Sequence, residues 1–175
     1  MNDLRFPVGA FKPETDITDE RRRLFIEQIA ETPARLREAV SGLSPEQLDT
    51  PYRPDGWTVR QVVHHVPDSH LNSYSRFKFA LTEEEPTIKA YDEAAWALLA
   101  DSQLTPVEVS LSLLESLHER WVTLLRSLSV ADLSRTLRHP EWGIISLDWM
   151  LGQYAWHGRH HVAHITSLRE RMNWL

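Results

Sequence analysis

The chain has 175 residues, a length that fits one domain with its own core, so residues 1–175 are treated as a single domain. Its 42% hydrophobic and 25% charged residues exclude a disordered tail or a low-complexity chain. With a net charge of −6 and no apolar run near the roughly 20 residues of a membrane span, we expect neither a nucleic acid nor a membrane as partner.

The first predicted elements are an irregular arm and a long helix. Residues 1–17 contain two prolines and one glycine without helical periodicity, which predicts an arm packed on the outside of the fold. This N-terminus shows no secretory signal, so we expect a cytoplasmic protein. After Thr18, a suitable N-cap, apolar residues recur at near-helical spacing until Gly42. The helix contains Pro33, where we expect a bend.

The second long helix is predicted to begin at Trp57 and Thr58, because Thr58 and Gln61 have the spacing of a capping box. Its apolar positions continue to about Leu81. Pro67 lies inside this helix and is expected to kink it or to loosen one turn. Three consecutive glutamates and a proline then end the helix.

The last two long helices have clear start signals. The third is predicted to have Thr105 as its cap, Pro106 in the first helical position and a glutamate that completes the capping box. Its apolar residues continue to Leu128. The fourth is capped by Ser146 and continues to about Met172.

Four long helices with no alternating strand and no internal repeat predict an all-α four-helix bundle. Long crossover connections join the second helix to the third and the third to the fourth, and residues 138–143 are predicted to be a loop. Short accessory helices are predicted at residues 43–48, 92–99 and 129–133. Bundles of this kind build metal sites on the inward faces of their helices.

Nine histidines and no cysteine leave imidazole as the main candidate for a metal ligand. On a helical wheel of the fourth helix, His161 lies within the apolar stripe, and His157, one turn earlier, is offset by about 40°. This i,i+4 pair can present two ring nitrogens to one ion. The pair of His160 and His164 is the shifted alternative.

A third ligand is expected from the second helix, because two ligands do not complete a metal site. Periodicity does not choose between His65, at the border of the apolar stripe, and His70, near its centre. His64 falls on the opposite side, so we expect it to face solvent. His118 and His139 are predicted to be isolated surface histidines.

Two segments of the chain carry a resemblance to a known family. The chain contains GWTVRQVVHH at residues 56–65, followed by Asp68-Ser69-His70, and WHGRHHVAH at residues 156–164. Together these segments resemble the two signatures of the DinB/YfiT-like superfamily, close to its YfiT group of metal-dependent hydrolases. Further similarity is found at residues 74, 76–78 and 86–89. The resemblance extends over most of the chain, and Pro67 departs from it at a position where relatives more often carry a helix former.

The resemblance implies a metal site and an activity. The family's ligands are the histidine eight residues after the second-helix tryptophan and two fourth-helix histidines four residues apart, which match His65, His157 and His161. The resemblance also implies one divalent ion per subunit, zinc before nickel, in a homodimer that hydrolyses a small-molecule substrate. The alternatives are a thiol-S-transferase that uses a low-molecular-weight thiol and a non-catalytic metal-binding bundle of the stress response.

Three neutral imidazoles would leave a bound ion at least one open position, as in a catalytic site. No clear general base is visible, and Asp68 is the nearest candidate. The same residue is equally consistent with a carboxylate that orients a ligand imidazole and with a surface acid at the kink. Four further residues are candidates to line a pocket, although packing or solvent exposure explains them as well: Trp57, Arg60, Tyr154 and Arg159.

Overall fold

The computed structural model describes residues 3–174 and consists mainly of helices. In chain order the elements are α1 (Asp19–Val40), α2 (Pro45–Leu48), α3 (Val59–Thr82), α4 (Glu93–Trp96), α5 (Ala100–Leu104), α6 (Val107–Ser127), α7 (Val130–Leu133), β1 (Thr136–His139), β2 (Gly143–Ser146) and α8 (Leu147–Met172). The long helices α1, α3, α6 and α8 pack together as the predicted four-helix bundle. Helices α2, α4 and α7 lie in the three segments predicted to be short helices, and α5 is additional. Within residues 3–174, no helix combines the length and the apolar character needed to cross a membrane.

Local sequence signals explain where three of the long helices begin. The hydroxyls of Thr18 and Ser146 each accept a hydrogen bond from the backbone N–H three residues further on. Before α3, Thr58 and Gln61 form the predicted capping box, with each side chain bonded to the other residue's backbone N–H. Each cap supplies an acceptor for an N–H that the helix leaves unpaired. These three predictions are confirmed.

The predicted start of α6 is wrong by one residue. Pro106 has an extended backbone (ψ 135°) and precedes the helix, which begins at Val107 without a side-chain cap. Thr105, the predicted cap, is therefore one residue too far from the first turn. Its backbone carbonyl instead accepts a hydrogen bond from His64.

A short antiparallel hairpin replaces the loop predicted at residues 138–143, which corrects the expectation of a chain without strands. Strands β1 and β2 place Leu137 opposite Ile145, and both side chains are buried. The turn ends at Gly143 with φ +71°, a conformation that glycine adopts without steric cost. Strands of four residues are too short to show a clear alternation of polar and apolar positions in the sequence.

Both prolines inside the long helices are accommodated without a break. Helix α1 continues through Pro33, and α3 continues through Pro67. Since proline has no N–H to donate to the carbonyl four residues earlier, Pro33 leaves the carbonyl of Ile29 without its helical donor. This carbonyl instead accepts a hydrogen bond from the side chain of His118 in α6.

The apolar core of the bundle is divided into two clusters. One cluster includes Phe77 and Trp121, and the other includes Val63, Leu114 and Ile165. On α8, four buried histidines occupy the stretch of helix between the residues of the two clusters, and on α3 His70 lies between them, with His64 and His65 at the edge of the second cluster. The histidines therefore form a polar layer between two apolar cores.

The N-terminal arm predicted for residues 1–17 lies against α8, and its first two residues are outside the described part of the chain. The indole N–H of Trp156 donates to the carbonyl of Gly9. The ring of Phe11 packs edge-on against Trp149, with ring centroids 5.2 Å apart. The arm thus covers one side of the helix that carries four of the nine histidines, all between residues 157 and 164.

Helices α1 and α8 come into close contact at Gly158. A Cβ atom on Gly158 would lie 2.4 Å from Oγ1 and 2.8 Å from Cγ2 of Thr32. Thr32 is buried, and its hydroxyl donates to the carbonyl of Gln28. The glycine therefore sets the distance between α1 and the helix that carries His157 and His161.

We predict that Gly158→Ala lowers the free energy of unfolding by about 1–3 kcal/mol, because the added methyl group overpacks the contact with Thr32. Gly152 on the same helix provides a matched control, since a Cβ there would come no closer than 3.4 Å to Phe25. Gly152→Ala should be neutral or stabilising, because alanine favours the helix. Urea-induced unfolding measures both variants, and equal stability of the two would contradict the prediction.

Candidate metal centre

Three histidines from two helices meet in the polar layer. His65 of α3 and His157 and His161 of α8 are buried, and one ring nitrogen of each lies within 4.8 Å of the other two. The Nε2 atoms of His65 and His157 are 3.3 Å apart. Of the two candidates on α3, the structure therefore brings His65 to the fourth-helix pair.

The geometry and protonation of this cluster fit a divalent metal ion. Two nitrogen ligands about 2.0–2.1 Å from one tetrahedral ion lie about 3.3–3.4 Å apart, which matches the separation of the His65 and His157 nitrogens. Burial lowers the pKa of His65 to about 4 and the pKa values of His157 and His161 well below the usual 6.5. All three are therefore neutral at pH 7, the form that offers a lone pair to a metal.

A chain of hydrogen bonds connects one of these histidines to the main chain of α1. Nδ1 of His157 lies 3.0 Å from Nε2 of His70, and Nδ1 of His70 lies 2.7 Å from Nε2 of His118. Nδ1 of His118 lies 2.8 Å from the carbonyl oxygen of Ile29. We call His118, His70 and His157 the histidine chain.

The Ile29 carbonyl determines which nitrogen carries the proton in every ring of the histidine chain. A carbonyl oxygen only accepts, so Nδ1 of His118 is the donor, and the Nε2 of that neutral ring is an acceptor. The same reasoning places the proton of His70 on Nδ1 and then the proton of His157 on Nδ1. The lone pair of Nε2 of His157 therefore points towards the cluster. Hydrogen bonds of this kind orient ligand imidazoles in metal sites.

Two histidines expected at the surface or facing solvent are buried instead. His118 has only 2% of its surface exposed and lies in the stripe of Leu114, Trp121 and Leu125, a spacing that was visible in the sequence. His64 has 4% of its surface exposed, since α5 and the start of α6 cover that face of α3. Its ring nitrogens contact the Ser110 hydroxyl and the Thr105 carbonyl.

The third surface prediction, for His139, is also wrong. The ring of His139 is buried and stacks on Trp142 across the hairpin turn, with ring centroids 4.0 Å apart. The turn brings the two rings together, and no short-range sequence pattern marks this packing. His139 lines the same cavity as the three clustered histidines.

His160 and His164, the alternative pair on α8, lie outside the cluster of His65, His157 and His161. His160 stacks on Trp156, with ring centroids 4.3 Å apart, and His164 stacks on Tyr52 at 3.9 Å. Nε2 of His164 donates to the carbonyl of Arg5 in the arm. These two histidines therefore join α8 to the arm and to the loop before α3.

A cavity of about 320 Å³ adjoins the three clustered histidines. Besides these histidines, its wall includes Trp57, Ser69, Arg76, Trp142 and Tyr154. Two of the four pocket candidates, Trp57 and Tyr154, thus line it. The other two lie elsewhere, because Arg60 pairs with Asp49 and Arg159 is exposed.

Asp68 is not placed among the groups that hold the cluster. It is half-buried, and burial raises its pKa to about 6. Within residues 3–174 its carboxylate forms no hydrogen bond to a histidine, and it does not line the cavity. The partner that orients His157 is His70 instead.

Comparison with known proteins assigns the family. Residues 28–165 match the DinB superfamily. The chain belongs to this superfamily. It is 60% identical over 174 residues to proteins of Bacillus cereus (strain 03BB102) and Bacillus thuringiensis subsp. konkukian (strain 97-27), both bearing the name "Putative metal-dependent hydrolase". Each alignment covers 99% of this chain and 100% of the relative.

Solved structures of similar proteins agree with the DinB fold. YfiT from Bacillus subtilis, described as "a probable metal-dependent hydrolase with an unusual four-helix bundle topology", is 50% identical with a TM-score of 0.96. The match covers 98% of this chain and 99% of YfiT. TT2238, a four-helix bundle protein, is 17% identical with a TM-score of 0.56. The match covers 81% of this chain and 94% of TT2238, and at this identity it shows a common fold alone.

We predict that this DinB protein loses stability as the pH falls from 7.5 to 5 in the presence of a chelator. Burial lowers the pKa of His118 from 6.5 to about 4, so the unfolded chain binds a proton in this range that the folded chain does not. His118→Gln should therefore lose on the order of 2 kcal/mol less than the wild type over the same range. Urea unfolding at several pH values measures this difference.

The opposite contribution of Asp68 does not reverse the expected trend. Its raised pKa makes the folded state the stronger proton acceptor, which stabilises the fold at low pH. The contribution of this one carboxyl group is smaller than the sum of the opposite contributions of several buried histidines. The prediction would be contradicted if the free energy of unfolding depended on pH in the same way in the wild type and in His118→Gln.

We predict that ring-nitrogen NMR of the metal-free protein shows His118, His70 and His157 protonated on Nδ1. His118→Leu should shift His70 and His157 away from this tautomer, because Nδ1 of His70 loses its acceptor. His118→Gln should preserve it, since its amide can both donate to the Ile29 carbonyl and accept from His70. Protonation of His157 on Nε2 in the wild-type protein would contradict the assignment.

A control for this experiment lies on α3. His64→Leu also removes a buried histidine that contacts a backbone carbonyl, but His64 lies outside the histidine chain. This variant should leave the tautomers of His70 and His157 unchanged. A shift in His64→Leu as large as that in His118→Leu would indicate a general loss of packing.

Proposed function

We propose that the chain is a metal-dependent hydrolase of a small-molecule substrate, with one divalent ion held by His65, His157 and His161. The observation that carries this proposal is the convergence of three buried, neutral imidazoles at the wall of a cavity. The names of the relatives and the description of YfiT support the same class of activity.

Zinc is the proposed ion and nickel the second candidate. Both metals bind imidazole nitrogen well. Three neutral imidazoles would leave such an ion its +2 charge, and the ion would lower the pKa of a water molecule towards about 7, which would supply a nucleophile at neutral pH. We further propose that the protein is cytoplasmic and that it forms the homodimer that the resemblance to the family implies.

Side chains around the cluster would orient the substrate. The ring of Trp57 packs on His65, with ring centroids 4.7 Å apart, and covers one side of the cluster. The Ser69 hydroxyl lies 3.5 Å from Nε2 of His157 and 3.3 Å from the Tyr154 hydroxyl. A substrate atom next to the cluster therefore has two hydroxyl groups within reach, which can hydrogen-bond to it and restrict its orientation.

We predict that untagged protein binds about one equivalent of zinc and that His65→Ala and His161→Ala each weaken binding about tenfold or more, since each removes one of three ligands. His164→Ala, on the same helix but outside the cluster, should keep the full equivalent. Elemental analysis and competition with a chromogenic chelator measure content and affinity. Unchanged zinc binding in both ligand variants would exclude this site.

The reaction is tested with the same proteins on panels of esters, amides and electrophiles with an added thiol. We expect hydrolysis that stops after chelation and returns with zinc. Consumption of the electrophile only when thiol is added would favour the thiol-S-transferase. Full zinc binding without turnover on any panel would favour a non-catalytic bundle.

A further inference from the structure

Arg76 of α3 is a buried cation without an anionic partner. Only 6% of its surface is exposed, and it lines the same cavity as the three clustered histidines. Its one hydrogen bond within residues 3–174 goes from Nη2 to the carbonyl of Lys89, at 3.0 Å. No carboxylate of the described chain lies within 4.0 Å of its guanidinium. Burying a charge without a partner is costly, and arginine is rarely buried unless it is paired.

The acidic residues of the same cavity do not neutralise Arg76. Glu93 and Glu141 are the carboxylates of the cavity wall, and both are exposed. Neither forms an ion pair with Arg76. Within residues 3–174, four of the five guanidinium N–H groups therefore have no protein acceptor, so they are available for a bidentate contact with an anion.

Two other polar groups of the cavity also lack partners. The hydroxyl of Tyr91 and Oε1 of Gln153 are buried, and neither forms a hydrogen bond within residues 3–174. Buried polar groups are normally satisfied by protein or by a bound molecule. Arg76, Tyr91 and Gln153 thus offer a cation, a hydroxyl and an amide oxygen that a polar ligand would complete.

Arg76 lines the same cavity as Tyr154, Ser69 and the three clustered histidines. The hydroxyl of Tyr154 contacts Ser69, whose own hydroxyl is next to His157. A small molecule held at Arg76 can therefore reach the cluster across Tyr154 and Ser69.

We propose that Arg76 forms an anion subsite that binds a carboxylate or phosphate group of the substrate and holds the rest of that molecule over the histidine cluster. The placement of the substrate's reacting bond over the histidines rests on the proposed hydrolase function, whereas anion binding at Arg76 does not. The substrate class is a small molecule with an anionic group separated from the bond that is cleaved. Among the described residues that line the cavity, Arg76 is the arginine or lysine that can select this group.

The test uses metal-free protein, so that an anion does not bind to the metal. Isothermal titration with phenylacetate and with its neutral amide, phenylacetamide, should show the anion binding roughly tenfold to hundredfold more tightly, as expected for hydrogen bonds to a charged group. Phenyl phosphate serves as the second probe and shows which anion the subsite prefers. Equal affinity for phenylacetate and phenylacetamide in the wild type would overturn the proposal.

Two variants assign this preference to Arg76. Arg76→Gln should abolish the preference for the anion, and Arg76→Lys, which keeps the charge, should retain part of it. Arg60→Gln is the matched control on the same helix, because Arg60 pairs with Asp49 outside the cavity, and its preference should equal that of the wild type. An unchanged preference in Arg76→Gln would overturn the proposal.

Zinc content separates this proposal from the proposed function. Arg76→Gln should still bind about one equivalent of zinc, since Arg76 is not a member of the three-histidine cluster. Loss of anion binding with full zinc content supports the subsite whether or not a hydrolysed substrate is found. Loss of zinc binding together with anion binding would assign Arg76 to the general packing of the cavity and overturn the proposal.

Discussion

The hydrogen bond between the Ile29 carbonyl and His118 is the interaction on which the rest of the candidate site depends. Pro33 makes it available, because a proline cannot donate to the carbonyl one turn earlier. This single backbone acceptor fixes the proton of His118, and through His70 it fixes the free lone pair of His157. A residue that would ordinarily weaken a helix therefore contributes to the candidate metal centre, from a helix that carries none of the three clustered histidines.

The four long helices have different tasks in the polar layer. Helices α3 and α8 carry the three clustered histidines, α6 contributes His118, and α1 contributes a carbonyl and the contact at Gly158. The apolar clusters on both sides bury most of this layer, which is why its histidines remain neutral and need hydrogen-bond partners. Packing and chemistry are thus determined by the same contacts, and a shift of α1 would disturb both.

Features with a local cause could be predicted from the sequence. The caps at Thr18 and Ser146 and the i,i+4 pair on α8 depend on residues a few positions apart, and helical periodicity describes them well. The choice of His65 over His70 required the resemblance to a family, because both face the interior. The burial of His64 and of Arg76 could not be predicted, since segments distant in the sequence cover them.

The direction of the histidine chain has a consequence for proton movement. Transfer along a row of imidazoles requires each ring to pass on one proton and receive another, so the far end must be able to exchange protons. The histidine chain ends at the Ile29 carbonyl, which has no proton to donate and does not retain one at neutral pH. The interior of the bundle is therefore closed to proton conduction along this route. A proton released at the three clustered histidines by the proposed hydrolysis would therefore leave through the cavity.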